Sequence, residues 1–299
     1  MRNEAKKWNG KSRGGALGNG IFVATLKYLG VRPAYMLLVF VAPYFVFFAP
    51  SARRSVIKYH CKILGYGRLK SVVQTFALFY RFGQTIIDKI AVKHGITKPY
   101  EFDYGTTYNE FLSVLDAGRG AIIIGAHVGS WEVGAPFFFS YGKRMNIVML
   151  DAEYAKIKHV IEQGTDAANF KIIPLGDDGL DSILKIKSAL DHGEYVCFQG
   201  DRFMNDSNAI TTTFLGHEAQ FPRGLFKLAA KMRVPIIFYY AMRQRHRKYN
   251  FIFEMARMDE NGTTTADNIF AQYIASLERI VKKYPQQWFN FYEFWTKYE

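Results

Sequence analysis

Cysteine is nearly missing from this chain: Cys61 and Cys197 are the only two in 299 residues. Two thiols make neither a disulfide framework nor a metal cluster, so both are read as small buried hydrophobes. No Asp-x-Asp metal motif occurs, which argues against a glycosyltransferase; Asp177-Asp178 stands before a helical pattern and reads as capping. Acidic residues are few as well, 26 against 39 Lys and Arg, for a formal charge of +13 and a pI near 9.5. That balance calls for an anionic partner: nucleic acid, an acidic membrane surface or an acidic protein. Polar, core-free composition is absent too, since 49% of residues are hydrophobic, and disorder is excluded. The 26 Phe, 19 Tyr and 4 Trp gather in apolar stretches instead of alternating with Lys and Arg, which favours a membrane over nucleic acid.

Residues 33–50 carry no charge and are about as long as the shortest bilayer span. A basic leader precedes them (Arg2, Lys6, Lys7, Lys11, Arg13), and Arg53, Arg54, Lys58 and Lys62 follow. No small-residue cleavage site follows the run, so it is not a signal peptide and the protein is not expected to be secreted. With both flanks basic, a simple crossing has no preferred orientation. Pro43 is expected to bend or break the helix, so a re-entrant hairpin or an interfacial anchor with both ends cytoplasmic is preferred to a span. A buried helix of a soluble protein is the structural alternative. The organisation expected is a leader over residues 1–20, a hydrophobic anchor over 21–50 and one domain over 51–299. That domain would comprise a helical hairpin at 51–95 and an α/β core at 100–299.

Within the hairpin, Val72, Phe76, Phe79, Tyr80, Ile86, Ile87 and Ile90 recur at helical spacing. Beyond it, short apolar runs alternate with helical patterns. Strands are expected at 121–125, 146–150, 170–174 and 195–198, with helices running to Tyr141, from Glu153 and to His192. A helix near 224–232 leads to a strand at 235–241, and 249–254 is its hairpin partner. This is the rhythm of an α/β fold: a mostly parallel central sheet flanked by helices. Ligands of such sheets bind at the carboxyl ends of the strands, where His127, Gln199-Gly-Asp201-Arg202 and the loop before Pro222 would lie.

His127 and Glu132 form the candidate catalytic dyad. A neutral imidazole accepts a proton from a hydroxyl or amine, and a carboxylate on its other nitrogen fixes the tautomer. Gly125 and Gly129 allow the chain to fold back, and Ser130 can cap a helix whose first turn holds Glu132. Backbone N–H groups of Gly129, Ser130 and Trp131, or the Arg202 or Arg223 side chain, are candidate donors to a developing oxyanion. Asp201 and Arg202 have an ion-pairing alternative at a strand end. Pro222 and Gly224 suit a helix start, and Arg223 between them can meet a phosphate or carboxylate. Trp131 and Phe137-Phe-Phe139 read as packing or as the wall of an acyl groove, and His217-Glu218 as structural.

Taken in order, several segments resemble the bacterial lipid A biosynthesis (late) acyltransferases, a branch of the lysophospholipid acyltransferase superfamily. They are the His-x4-Glu run at residues 125–132, Gln199-Gly-Asp201-Arg202, the block from Thr213 to Ala229 with its Phe-x-Gly and Pro-x-Gly elements, and Tyr284-Pro-Gln-Gln-Trp288-Phe. The resemblance implies transfer of a fatty acyl group from an acyl thioester, on acyl carrier protein or coenzyme A, to a hydroxyl or amine of a lipid acceptor. The site implied is the cytoplasmic face of a bacterial inner membrane. It implies His127 as general base with Glu132 orienting it, no cofactor beyond the thioester co-substrate, no metal and no nucleic acid. Arginines that the family carries after the strand following the dyad, and after the terminal tryptophan, are replaced here by the runs beginning at Asp151 and Asn290. A lysophospholipid acyltransferase is the rival enzyme; that group usually places Asp in the dyad and Glu-Gly-Thr-Arg where Phe221-Pro-Arg-Gly224 stands. The rival of another class is a non-catalytic basic membrane-surface adaptor.

Overall fold

The computed structural model describes residues 15–134, 138, 142–150, 170–175, 179–202, 209–261 and 263–295. Four helices come first: α1 (Gly15–Tyr28), α2 (Val31–Phe48), α3 (Pro50–Lys58), which continues into a π turn at Tyr59–Ile63, and the long α4 (Arg68–Lys93). Then follow β1 (Glu101–Asp103), α5 (Tyr108–Asp116), β2 (Ala121–Gly125), β3 (Met145–Leu150), β4 (Phe170–Leu175), α6 (Gly179–Asp191) and β5 (Tyr195–Gln199). The last part comprises the hairpin β6 (Ala209–Phe214) and β7 (His217–Pro222), α7 (Arg223–Met232), β8 (Ile236–Arg243), β9 (Lys248–Met255) and α8 (Ala266–Lys283). The expected helix from Glu153, the Asp177-Asp178 pair, the basic leader and most of the helix to Tyr141 lie outside the described residues.

Seven strands form one sheet in the order β1-β9-β8-β2-β5-β3-β4, parallel except where β8 meets β9. The alternation of α and β patterns therefore has the expected consequence. Every residue of β2 is buried, as expected of an all-apolar strand covered on both faces. Ile122, Ile124, Val196, Phe198, Phe238 and Tyr240 face one layer with α7 and α8, while Ile123, Tyr195, Cys197, Ile237 and Tyr239 face the other with α2, α4 and α5. Cys197 is a buried hydrophobe as read; Cys61 is only half-buried and its Sγ lies 3.0 Å from Ser71 Oγ.

Two elements differ from expectation. The segment before Pro222 is not a loop but the hairpin β6–β7, whose turn residues Leu215 and Gly216 both take positive φ (54° and 83°). Ala209-Ile-Thr-Thr-Thr-Phe carries the β-branched signal for the first of these strands. The second difference is at Pro43. Helix α2 runs through it and ends at Phe48, with Ala49 as its cap before Pro50, so no re-entrant turn occurs there. One side of α2 packs on α4 so closely that a β-carbon on Gly83 would come within 2.3 Å of Leu38 Cδ1. The opposite side leaves Met36, Phe40, Phe47 and Phe48 exposed.

Behind that seam Asp88 of α4 is fully buried. It accepts hydrogen bonds from Arg243 Nε (2.8 Å), Tyr249 Oη (2.6 Å), Tyr100 Oη (3.0 Å) and Tyr35 Oη. Arg243 ends β8 and Tyr35 lies on α2, so one ionic cluster joins the N-terminal helices to the sheet.

Candidate active site

Strand register assembles the site. β2 and β5 pair in parallel with Gly125 opposite Gln199, so two residues beyond each strand end His127 and Asp201 stand side by side. Gly200 N donates to Gly125 O at 2.9 Å and keeps the two exits together. Asp201 Oδ1 accepts from His127 Nδ1 at 2.8 Å, and Asp201 Oδ2 accepts from the backbone N–H of His127 at 3.0 Å. Trp288 Nε1 donates to the same Oδ2 at 3.3 Å. An ionised carboxylate only accepts, so Nδ1 carries the proton and the lone pair of the neutral ring sits on Nε2. The imidazole is 31% exposed while Asp201 is 3% exposed, which gives Nε2 access to a substrate and denies the carboxylate to water.

The surroundings of Asp201 are aromatic. Trp288 packs edge-on against Phe294, Trp295, Phe214 and Tyr59, with ring centroids 5.0 to 5.6 Å apart. Burial alone would raise the Asp201 pKa; the His127 charge and hydrogen bonds, with Arg202 nearby, outweigh it and bring it down to about 2. The acid is thus held as a carboxylate inside a water-poor pocket, the condition under which it stabilises an imidazolium.

The expected partner of the imidazole is therefore corrected. Glu132 lies in the single 3-10 turn Trp131–Gly134 that packs on α4, and its Oε1 accepts from Lys89 Nζ at 2.8 Å. The chain does not enter a helix directly after His127. Val128 pairs with Trp288 and Gly129 with Ala241 in isolated bridges, an extended detour that carries Glu132 away to the α4 side. Gly129 is required there, because it has φ of +67° and a β-carbon would fall 2.2 Å from Ala241 O.

That detour also consumes two expected oxyanion donors. Gly129 N donates to Gln287 O at 2.8 Å and Ser130 N to Ala241 O at 2.9 Å. Trp131, at the first position of the 3-10 turn, is where an orphan N–H is expected. No side-chain cap from the buried Ser130 occurs among the described residues; its carbonyl accepts from Val133 N at 3.1 Å. Trp131 is half-buried with its ring edge-on to Phe170. Phe138 is core, and Phe137 and Phe139 lie outside the described residues.

Arg202 stays next to Asp201 but is turned to the C-terminal segment. Its Nη2 donates to Phe289 O at 3.3 Å and its guanidinium carbon sits 5.5 Å from the Tyr292 ring centroid. Arg223 and Gly224 open α7, both exposed, and neither makes a side-chain hydrogen bond or ion pair to His127 among the described residues. Glu218 and His217 pair with Thr213 and Phe214 across the β6–β7 hairpin.

Sequence reasoning did not assign Gln287, Trp288 or Tyr292 to the site. Tyr292 Oη donates to Asp201 O at 3.2 Å, and Phe289 N donates to His127 O at 2.9 Å. The available signal was Gln-Gln-Trp-Phe itself: polar residues between aromatics near the end of a chain, far from the dyad in sequence.

Fold and site together define an α/β protein with a carboxylate-steered histidine at the carboxyl ends of adjacent central strands. The family model for bacterial lipid A biosynthesis acyltransferases matches residues 72–297, and the chain belongs to that family. Membership implies acyltransferase activity in lipid biosynthesis. A search of curated proteins returns no match.

Proposed function

We propose that this protein transfers a fatty acyl group from an acyl thioester, carried by acyl carrier protein or coenzyme A, to a hydroxyl or amine of a lipid acceptor, with His127 as general base. The single observation that carries the reading is the hydrogen bond from His127 Nδ1 to Asp201. It leaves Nε2 as the basic, accessible nitrogen, within the reach that proton abstraction needs. The acceptor gives its proton to Nε2 as its oxygen or nitrogen attacks the thioester carbonyl carbon, and the carbonyl electron pair moves onto oxygen. Collapse re-forms the C=O bond and breaks the C–S bond, and the departing thiolate takes the proton back from Nε2. Asp201 is the orienting carboxylate in this scheme, and Glu132 is paired with Lys89 instead. Trp131 N–H and Arg202 are the candidate oxyanion donors, and Arg223 and Gly224 are kept as candidate substrate contacts.

Membrane attachment is part of the proposal. Helix α2 is long and apolar enough to cross a bilayer, with 22% of that window buried. Leu69, Val72 and Val73 at the start of α4 are exposed apolar residues as well. Arg54, Lys62, Arg68 and Lys70, close to these apolar residues in sequence, are exposed too. An apolar face edged by cations suits a helix lying in the interface of an anionic membrane, here assigned to the cytoplasmic face of the bacterial inner membrane.

Mass spectrometry of lipids from cells expressing the intact protein, His127→Ala and Asp201→Asn at matched membrane abundance tests the reading. A new acylated species in the intact sample alone is expected, and its fragments identify the acceptor. Identical profiles in a host holding the native lipids and carrier protein would favour a non-catalytic membrane adaptor.

A further inference from the structure

On the other side of the segment that braces His127 lies a cleft of about 230 Å³. It is walled by Arg81 of α4, Arg243, Gln244 and Arg245 at the end of β8, and the chain from Lys283 to Gln287 after α8. Among the described residues, four cations and no acid line it. Arg243 has a buried counter-ion in Asp88, leaving three that are not neutralised in this way. Arg81, Arg245 and Lys283 make no ion pair among the described residues; Lys283 only approaches the Tyr284 ring, at 5.4 Å. Arg81 is half-buried, and burial first, then the charges of Arg243 and Arg245, disfavour its protonated form. Like charges gathered in a cleft repel one another at a cost in stability unless an anion bridges them.

The cleft and the active-site loop share a wall. Gln287 O accepts from Gly129 N, while the Gln287 side chain clasps the Arg243 backbone, accepting from its N–H at 2.9 Å and donating to its carbonyl at 2.8 Å. A group bound against Gln287 is therefore one residue away from the loop that carries His127.

We propose that this cleft is a phosphate-binding subsite, in which Arg81, Arg245 and Lys283, with Arg243 at the floor, hold the phosphate of a substrate while its reacting end lies at His127. Guanidinium groups match phosphate oxygens in paired hydrogen bonds, and a tetrahedral phosphate presents its oxygens to several cations at once more readily than a planar carboxylate does. The volume holds a phosphate with its ester arm and is below that of sites that engulf a drug-sized molecule. That the phosphate belongs to a substrate rests on the acyltransfer reading; the binding itself does not. Two sources share this chemistry: the phosphopantetheine arm of a thioester donor and the headgroup of a phosphorylated lipid acceptor.

Binding to the full-length purified protein separates them. The probes are 4′-phosphopantetheine against pantetheine, and a short-chain phosphatidic acid against the matching diacylglycerol, both titrated by calorimetry. In at least one pair the phosphorylated member is expected to bind about tenfold or more tightly. The pair that responds names the source. That preference should persist in His127→Ala and in the charge-matched control Lys227→Gln/Lys231→Gln on α7, and vanish in Arg81→Gln/Arg245→Gln. Because neither arginine has a counter-ion among the described residues, the double variant should melt no lower than the parent without ligand; if it does not fold, Arg245→Gln alone takes its place. No phosphate preference in the parent, or an unchanged one in the arginine variant, overturns the proposal. Failure of the acyltransfer reading would appear separately, as lipid profiles unaffected by His127→Ala while phosphate binding persists.

Discussion

Asp201 and Asp88 are both buried aspartates that hold a basic group, yet they serve opposite ends. Asp201 sits at the centre of the sheet and holds an imidazole that is 31% exposed; Asp88 sits at the helix–sheet seam and holds a guanidinium that is 5% exposed. An imidazole exchanges protons in the working range of pH, whereas a guanidinium stays charged throughout. The same pairing therefore holds a group able to exchange protons in one place and a permanently charged one in the other. What separates them is access. The strand ends open His127 to solvent, while Tyr35, Tyr100 and Tyr249 seal the Asp88 pair.

The comparison breaks most sharply at the two basic partners. His127→Ala should lower turnover by about 10² to 10⁴ with little loss of stability, read as initial rate against thermal melting. Arg243→Met should act first on stability, because it strands a buried carboxylate: a destabilisation of about 3–5 kcal/mol is expected from denaturant titration. A rate defect in Arg243→Met without unfolding would mean that the seam does more than hold. Gly129→Ala tests whether the detour beyond His127 is obligatory. A β-carbon 2.2 Å from Ala241 O at positive φ should cost about 1–3 kcal/mol and disturb His127, seen as a fall in both melting temperature and rate.

Acid tests Asp201 directly. Asp201 has a folded pKa of about 2 against an ordinary value of 3.8. A lowered folded pKa contributes stability that is fully present above the unfolded value and is lost as pH falls from about 4 through 2. The contribution is about 2 kcal/mol, and Asp201→Asn should remove that part of the acid dependence; a parallel acid profile in the variant would place the linkage elsewhere. The smallest effect is expected at Glu132→Gln, which removes an exposed ion pair with Lys89 and should change stability by less than about 1 kcal/mol. Its rate should exceed that of Asp201→Asn; the opposite ranking would return the orienting role to Glu132.

Much of this architecture is legible in local pattern. Ala121-Ile-Ile-Ile-Gly125 reads as a central parallel strand because only a strand covered on both faces is apolar throughout. The β8–β9 pairing is equally visible, since two β-rich runs stand close together. Hairpin β6–β7 is less so: its turn needs Leu215 at positive φ, a conformation that side chains rarely favour. Pro43 misleads in the other direction. Proline removes a helical hydrogen bond, but packing of α2 on α4 carries the helix through it.

The sequence by itself determined the α/β class and the membrane-suited apolar helix, and it singled out His127 at the end of a central strand, because each rests on neighbours within one element. Only the tertiary structure decided which carboxylate faces the imidazole. Glu132 is five residues from His127 and Asp201 is 74, yet the parallel register of β2 on β5 brings Asp201 alongside while the bridges to Ala241 and Trp288 carry Glu132 off. Closeness in sequence constrains side chains only within a regular element. Past a strand end, the neighbouring strand sets which groups meet.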